Sequence, residues 1–277
     1  MKATIGALNL YPVKGCRGVS LRAARLAATG LELEEIGDRE WVVVDERGEF
    51  LSQREFPRMA LIETRLATTS LLLKAPGMLQ LEVPYESEGD VVSVRVWDDT
   101  VSAVTQGEIA DAWFTSFLGR PARLVRFDPE GQRRSNPRYT GRFDAPYKFA
   151  DAFALLVTGQ ASLDDVNAKL AQRGHAAIAM ERFRPNIVLD GLPAFEEDYA
   201  KTLRVDGAEL RVVKPCARCT VPGVDPATGE ASNVVPDLLA TYRRREGGVM
   251  FGVNAIVAEG AGAWLAVGDE VEVELDL

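Results

Sequence analysis

Residues 91–104 read VVSVRVWDDTVSAV. Val92, Val94 and Val96 fall on one side of an extended chain, and Ser93, Arg95 and Trp97 on the other. Successive side chains of a strand point to opposite faces, so this alternation predicts a strand half-buried against a core. Asp98-Asp99 reads as a turn, and Val101 to Val104 as a second strand. Working outward, the same kind of segment recurs. Ile5 to Tyr11 is apolar and ends at Pro12, and Glu40 to Val44 precedes the turn Asp45-Glu46-Arg47-Gly48. Leu71 to Lys74 and Leu79 to Val83 flank Ala75-Pro76-Gly77, whose composition suits a hairpin turn. Gly107 to Leu118 has helical spacing in Ile109, Trp113, Phe114 and Phe117, and Leu124 to Phe127 returns to strand. Many short strands with turn signals between them predict a barrel or sandwich with few helices.

The polar stretch from Pro129 to Pro146 carries Arg133, Arg134, Arg138 and Arg142 and is closed by Lys148. A connection of that length marks a domain boundary or a loop that binds something. Beyond it, Ala152 to Val157 reads as a strand. Ser162, with Asp165 three residues on, predicts a capped helix running to about Arg173 and stopping at Gly174. Asn186 to Leu189, Leu203 to Val205, Glu209 to Val213, Gly252 to Val257 and Val271 to Leu275 read as strands. The expectation is a mostly β chain with some α (α+β), with a β-barrel in each half: residues 1–125 and 126–277.

Composition narrows the function. The 277 residues carry 32 Lys and Arg against 41 Asp and Glu, a net charge of −9. Non-specific nucleic-acid binding needs an electropositive face, so no nucleic-acid partner is expected. No apolar run approaches the roughly 20 residues that span a bilayer, and no signal-peptide pattern opens the chain, so no membrane partner and a cytoplasmic location are expected. His175 is the sole histidine, which excludes a multi-histidine metal site and weakens serine or cysteine hydrolase schemes. It reads as a helix-end residue. Cys16, Cys216 and Cys219 are an odd, small set that indicates reduced thiols.

Four segments could carry chemistry. The first is KPCARCTVPGVDP, residues 214–226. Its CxxC is open to four readings: half of a zinc site, a dithiol redox pair, a thiolate acting as ligand or nucleophile beside Arg218, or two cysteines buried in a core strand. Zinc lacks further soft ligands, and Pro222-Gly223 disfavours the long helix of a thioredoxin-like motif. The second is YPVKGCRG, residues 11–18, where a turn could offer backbone N–H groups and Lys14 to a phosphate. The third is GDREW, residues 37–41, where Arg39 could clamp an anion or form a surface pair with Asp38 or Glu35. The fourth is RFRPN, residues 182–186, where arginine and asparagine at a strand entrance could grip a planar polar ligand.

These segments occur together and in this order in one family. With GDREWVVVDERGEFLSQREFPRMALI, FRPNIVLDG, CARCTVPGVDPATGE and FGVNAIV…VGDEVEV, the sequence resembles the MOSC-domain proteins that carry an N-terminal MOSC β-barrel domain. The mitochondrial amidoxime-reducing components and their bacterial YcbX-type relatives belong to that group. The resemblance covers nearly the whole chain. It implies two MOSC-type β-barrel domains and a molybdenum cofactor, a pyranopterin dithiolene with a phosphate. It places the protein ligand to the metal on Cys219, the second cysteine of CARC, with Arg218 before it and backbone groups around Ala217 lining the cofactor. Lys14 and Arg39 match phosphate and pterin contacts. Gly15 stands where some relatives have serine, so only its backbone contributes. Arg184 and Asn186 match the RPN segment, and Asp151 falls near an acidic cofactor contact. The implied activity is reduction of N-hydroxylated amidines, hydroxylamines and bases. The implied electron donor is a separate ferredoxin or flavoprotein. The alternative that the resemblance allows is a sulfur or cofactor carrier working through a cysteine persulfide.

Overall fold

The computed structural model describes residues 1–86 and 88–276, of which strands dominate (41%) over helices (19%). Seven strands close into a ring. In order around it they are Leu155–Gly159, Ile187–Asp190, Lys2–Leu10, Glu270–Leu275, Ala200–Val205, Ala208–Arg218 and Gly248–Glu259, which pairs back to Leu155–Gly159. All neighbours are antiparallel except Leu155–Gly159 and Ile187–Asp190. The inward side chains make the largest core, including Ile5, Leu8, Leu10, Leu203, Leu210, Val253 and Val273. Closure removes the free sheet edges that would otherwise template aggregation. Gly252 allows the long Gly248–Glu259 strand to pass close to its neighbour: its φ is +71°, and a Cβ there would stand 2.7 Å from the Val157 carbonyl oxygen.

The two ends of the chain are exchanged. The first strand sits in the ring, while Trp264–Ala266 leaves it to pair with Ala23–Ala27 in a small outer sheet. The rest of the first half forms open sheets beside the ring. Val91–Val96 and Asp99–Thr105 form the expected hairpin, with Val94 opposite Val101. Its turn is Trp97-Asp98 and not Asp98-Asp99, because Val96 pairs with Asp99 and Trp97 takes the left-handed φ of +58°. The hairpin around Ala75-Pro76-Gly77 also forms, joining Ser70–Lys74 to Leu81–Pro84. Helix Glu108–Leu118 buries Trp113, Phe114 and Phe117 with Ala110; Ile109 faces solvent instead.

The second long helix departs from expectation at its start. It runs Gln160–Gln172, three residues earlier than the Ser162 cap would allow, and its N-cap is Gly159. Glu197, from a distant turn, does the capping. Its buried carboxylate accepts the Gly159 N–H at 3.0 Å and the Ser162 hydroxyl at 2.7 Å. Ser162 is thereby turned inward and also receives the Phe195 N–H. Burial pushes the Glu197 carboxyl pKa up despite these donors. Glu197→Ala leaves an N–H and a hydroxyl unpaired in the core, so a loss of about 2–4 kcal/mol of unfolding free energy is expected, read by urea denaturation. A loss under about 0.5 kcal/mol, typical of a surface site, is the contrary result.

The helix Val234–Tyr242, which sequence periodicity did not reveal, packs Val235, Leu238 and Leu239 against Leu163, Val166 and Leu170. The arginine-rich stretch between Pro129 and Pro146 is not a uniformly solvated face. Arg133 is buried and donates to Asp99 at 2.8 Å, to the Lys148 carbonyl at 3.0 Å and to the Ala150 carbonyl at 2.7 Å. It fastens the connection, and the residues that follow it, against the hairpin tip.

Candidate functional site

Three devices bring distant segments to one place. The first is the turn after strand Lys2–Leu10, tied to the neighbouring segment by Lys14 N–H to the Trp41 carbonyl (2.8 Å) and Arg39 N–H to the Tyr11 carbonyl (2.8 Å). The second is the run from Phe149 to Asp151, carried by the Phe149 N–H donated to the Arg39 carbonyl. The third is strand Ala208–Arg218, whose register slips between Val212 and Lys214 and again between Pro215 and Ala217. Such bulges bend a strand and re-aim its side chains. Here they present Lys214, Cys216 and Ala217 to a hollow at one side of the ring.

That hollow is a cleft of about 270 Å³. Lys14, Gly15, Arg39, Asp151, Arg184, Asn186, Ala217, Arg218 and Cys219 all line it. The nine residues come from five separate stretches of chain, and the fold assembles them. Of the four readings of the CxxC, the core-strand one is excluded: Cys219 is exposed and Cys216 half-buried, and only Cys16 is in the core. The described residues hold no cluster of three or more histidines, cysteines, aspartates or glutamates arranged for a metal, which leaves zinc without a ligand set.

The cations are arranged in two groups. Lys14 is buried; its ammonium donates to the Phe149 carbonyl at 2.9 Å and to Asp151 at 2.5 Å. Burial lowers the Lys14 pKa, although Asp151 opposes it. Asp151 keeps a side chain that is 73% exposed and also accepts the Trp97 indole N–H at 2.9 Å. The surrounding protein would raise its pKa, but the Lys14 charge and the two hydrogen bonds outweigh this and hold it below the carboxylate range. The second group surrounds Tyr11. The Arg39 and Arg184 guanidinium carbons each lie 4.4 Å from its ring centroid. Arg39 and Arg184 both take left-handed φ values, +48° and +58°. Such conformations cost about 1–3 kcal/mol and recur where side chains must be aimed.

Asn186 is 1% exposed and its side chain makes three hydrogen bonds within the protein. Its oxygen accepts from Leu156 N–H and from Arg39, both at 3.1 Å, and its amide donates to the Asn9 carbonyl at 3.3 Å. It braces Arg39 and offers little to a ligand directly. Arg39 also pairs with Asp38, which is almost wholly buried, so the surface pair anticipated as an alternative is an interior one. Arg184 donates to the Cys16 carbonyl at 2.6 Å. Burial, then the Arg39 charge, brings its pKa down to about 10. Arg218 donates to the Phe183 carbonyl at 2.8 Å and to Cys216 Sγ at 3.2 Å. Burial works against the Arg218 charge, and the nearby Cys216 and Cys219 more than offset it, so its pKa is raised. Two guanidinium nitrogens of the cleft residues, Arg184 Nη2 and Arg218 Nε, are buried without a hydrogen-bond partner. An unpaired buried donor costs about 1–3 kcal/mol, so such groups call for a ligand acceptor.

Sequence reasoning did not single out Phe50, Gln53, Trp97 or Phe153, and gave no role to Lys214 at the head of its first segment; all five face the cleft. Gln53 holds the Gly15 carbonyl at 2.6 Å. Trp97 is 40% exposed, packs its edge against Phe50 with centroids 4.8 Å apart and carries Arg54 over its ring at 4.3 Å. The signal available for Trp97 was a large aromatic residue at a hairpin tip, where glycine or asparagine is usual.

The Asp151 pair gives a pH expectation. A carboxylate whose folded pKa is depressed adds stability above its unfolded value, about 3.9, and loses it as pH falls through the folded value. Asp151→Asn should therefore lower Tm at pH 7, and the gap from the unaltered protein should close progressively below about pH 4. A gap independent of pH in thermal melts would contradict the assignment.

Comparison with known proteins agrees with this layout. Residues 2–121 match the MOSC N-terminal beta barrel domain and residues 144–272 the MOSC domain. The chain is similar to mitochondrial amidoxime reducing component 2 of Homo sapiens, 35% identical over 246 residues, covering 87% of this chain and 72% of that protein. The Bos taurus protein of the same name is 34% identical with the same coverage. Mitochondrial amidoxime-reducing component 1 of Homo sapiens is 33% identical over 247 residues, again 87% of this chain and 72% of that one. Among the described residues, no helix is long and apolar enough to cross a membrane.

Proposed function

The chain belongs to the MOSC family, with the MOSC N-terminal β-barrel domain and the MOSC domain in one polypeptide, and from that premise we propose that its cleft binds a molybdenum cofactor and reduces N-hydroxylated small molecules. The observation that carries this reading is an exposed thiol, Cys219, on a cleft whose lining includes two buried guanidiniums with unspent donors. The donor set fits the group. Soft sulfur suits molybdenum and needs no histidine. A phosphate and a pterin are rich in acceptors, and Arg184 Nη2 and Arg218 Nε lack acceptors.

Cys219 would hold the metal. Lys14, Arg39 and Arg184 would hold the phosphate and pterin by charge-assisted hydrogen bonds. Gly15 and Ala217 would contribute backbone groups. Asn186 acts one step back, fixing the Arg39 guanidinium. Asp151 restrains Lys14 and would orient it. When bound, such a cofactor supplies the two electrons that, with two protons, convert an N-hydroxy compound to the amine or amidine and water. The electrons would come from a separate ferredoxin or flavoprotein, the donor that the family resemblance implies. The three free thiols suit a reducing compartment such as the cytoplasm.

The test uses protein purified from a molybdenum-competent host. Stoichiometric molybdenum by elemental analysis, and reduction of hydroxylamine or an amidoxime with a chemical electron donor, are expected. Persulfide on Cys219 without turnover would overturn the reductase reading in favour of a sulfur carrier.

A further inference from the structure

A second hollow, of about 340 Å³, shares Arg54, Arg218 and Cys219 with the cleft and continues beyond them. Its far wall comes from helix Val234–Tyr242 and the strand after it, through Pro236, Ala240 and Val249. A volume in this range accommodates a small organic molecule. The candidate metal-ligating thiol therefore stands where two hollows meet. One is lined by the groups suited to the cofactor, and the other is not used by it.

The charges of this second hollow are distinctive in an acidic chain. Arg54, Arg218 and Arg244 line it against one carboxylate, Asp237. Arg243, Arg244 and Arg245 are consecutive, yet only the outer two are neutralised: both donate to Asp198, at 2.5 and 2.7 Å. The Arg244 guanidinium is exposed and has no ion pair or hydrogen bond among the described residues. Arg54 is stacked on Trp97 and has no carboxylate partner among the described residues. Two uncompensated guanidiniums thus flank an apolar wall beside Cys219.

We propose that this hollow is the substrate site, and that it selects N-hydroxy compounds whose apolar body ends in an anionic group such as a carboxylate, held by Arg244 and Arg54. This deepens the reductase reading above and rests on it. The Arg54 guanidinium, laid flat on the Trp97 indole, is preorganised for such an anchor, which reduces what is lost on binding.

The test compares benzamidoxime, 4-carboxybenzamidoxime and hydroxylamine, with the molybdenum-loaded protein and a chemical electron donor. The unaltered protein is expected to favour the carboxylated amidoxime in kcat/KM. Arg244→Gln should reduce that preference about ten-fold, the loss of roughly one charge-assisted hydrogen bond. Ala240→Trp, which fills the hollow, should raise KM for both amidoximes about ten-fold or more while sparing hydroxylamine, whose few atoms need no wall. Molybdenum content should match the unaltered protein in both variants. An unchanged preference in Arg244→Gln, or equal effects of Ala240→Trp on all three compounds, overturns the proposal. So does an Arg244→Gln defect seen with a protein electron donor and absent with the chemical one, since Arg244 would then be a partner contact. If the unaltered protein holds molybdenum yet reduces none of the three, the reductase reading itself fails.

Discussion

Cys219→Ala is expected to abolish reduction of N-hydroxy compounds, by more than the roughly 10–100-fold that loss of an outer partner of a metal ligand costs. The thiol is exposed and makes no hydrogen bond within the described residues, so its removal should change stability by no more than about 0.5 kcal/mol. Loss of turnover then reads directly on the missing sulfur. Cys216→Ala is the internal control. Its sulfur accepts from Arg218 Nη1 at 3.2 Å and lies in the bulged end of the strand, so it steadies Arg218. A modest loss, under about ten-fold, is expected there. Molybdenum content and steady-state rates with a chemical donor check both variants. The reverse ranking, with Cys216 indispensable and Cys219 dispensable, would move the ligand to the other thiol.

The second large effect is on folding. Arg39→Ala removes the partner of Asp38, whose side chain is 1% exposed, and also strips donors from the Asn186 oxygen and the Arg184 carbonyl. Breaking a buried ion pair by deleting one member costs about 3–5 kcal/mol, because the remaining charge is stranded. The new alanine would also inherit a φ of +48° without any side chain to hold it there. Urea unfolding with an unchanged m-value should register the full loss. Asp38 Oδ1 meanwhile holds the Tyr11 N–H at 2.9 Å, so Asp38→Asn keeps one function of the carboxylate while removing its charge. The double variant Arg39→Ala with Asp38→Asn should recover part of the loss. A deficit under about 1 kcal/mol in the single variant would mean the pair is solvated and ordinary.

Short-range patterns were the readable part of the fold. The alternation in Val91–Val96 and the Ala75-Pro76-Gly77 turn depend on neighbours in sequence, and both form. What escaped depends on distant partners. Ser162 looked like a cap because its local pattern allows it, but a carboxylate 35 residues away takes its hydroxyl and lets the helix begin earlier. Arg133 stands in a stretch that reads only as a domain boundary or binding loop, and its burial follows from three acceptors supplied by other segments. The helix Val234–Tyr242 is only nine residues long with a proline in its first turn, too short for periodicity to register. The candidate site divides the same way. Composition and spacing left the CxxC open among several chemistries, and only the ordered set of motifs joined Lys14, Arg39, Arg184 and Cys219 into one expectation. Their common cleft is a product of the bulged strand and the two left-handed arginines, which no single segment announces.

The exchange of chain ends has a consequence for biosynthesis. Strand Lys2–Leu10 is synthesised long before Glu270–Leu275, the strand that flanks it in the ring. Until then the early strand has an open flank, and Trp264–Ala266 has yet to complete its own small sheet around Ala23–Ala27. The turn bearing Lys14 hangs directly from that waiting strand, so the Lys14 side of the pocket is fully braced only once Glu270–Leu275 has been made. An unpaired strand edge of this kind templates aggregation, so the growing polypeptide depends on being shielded while it waits.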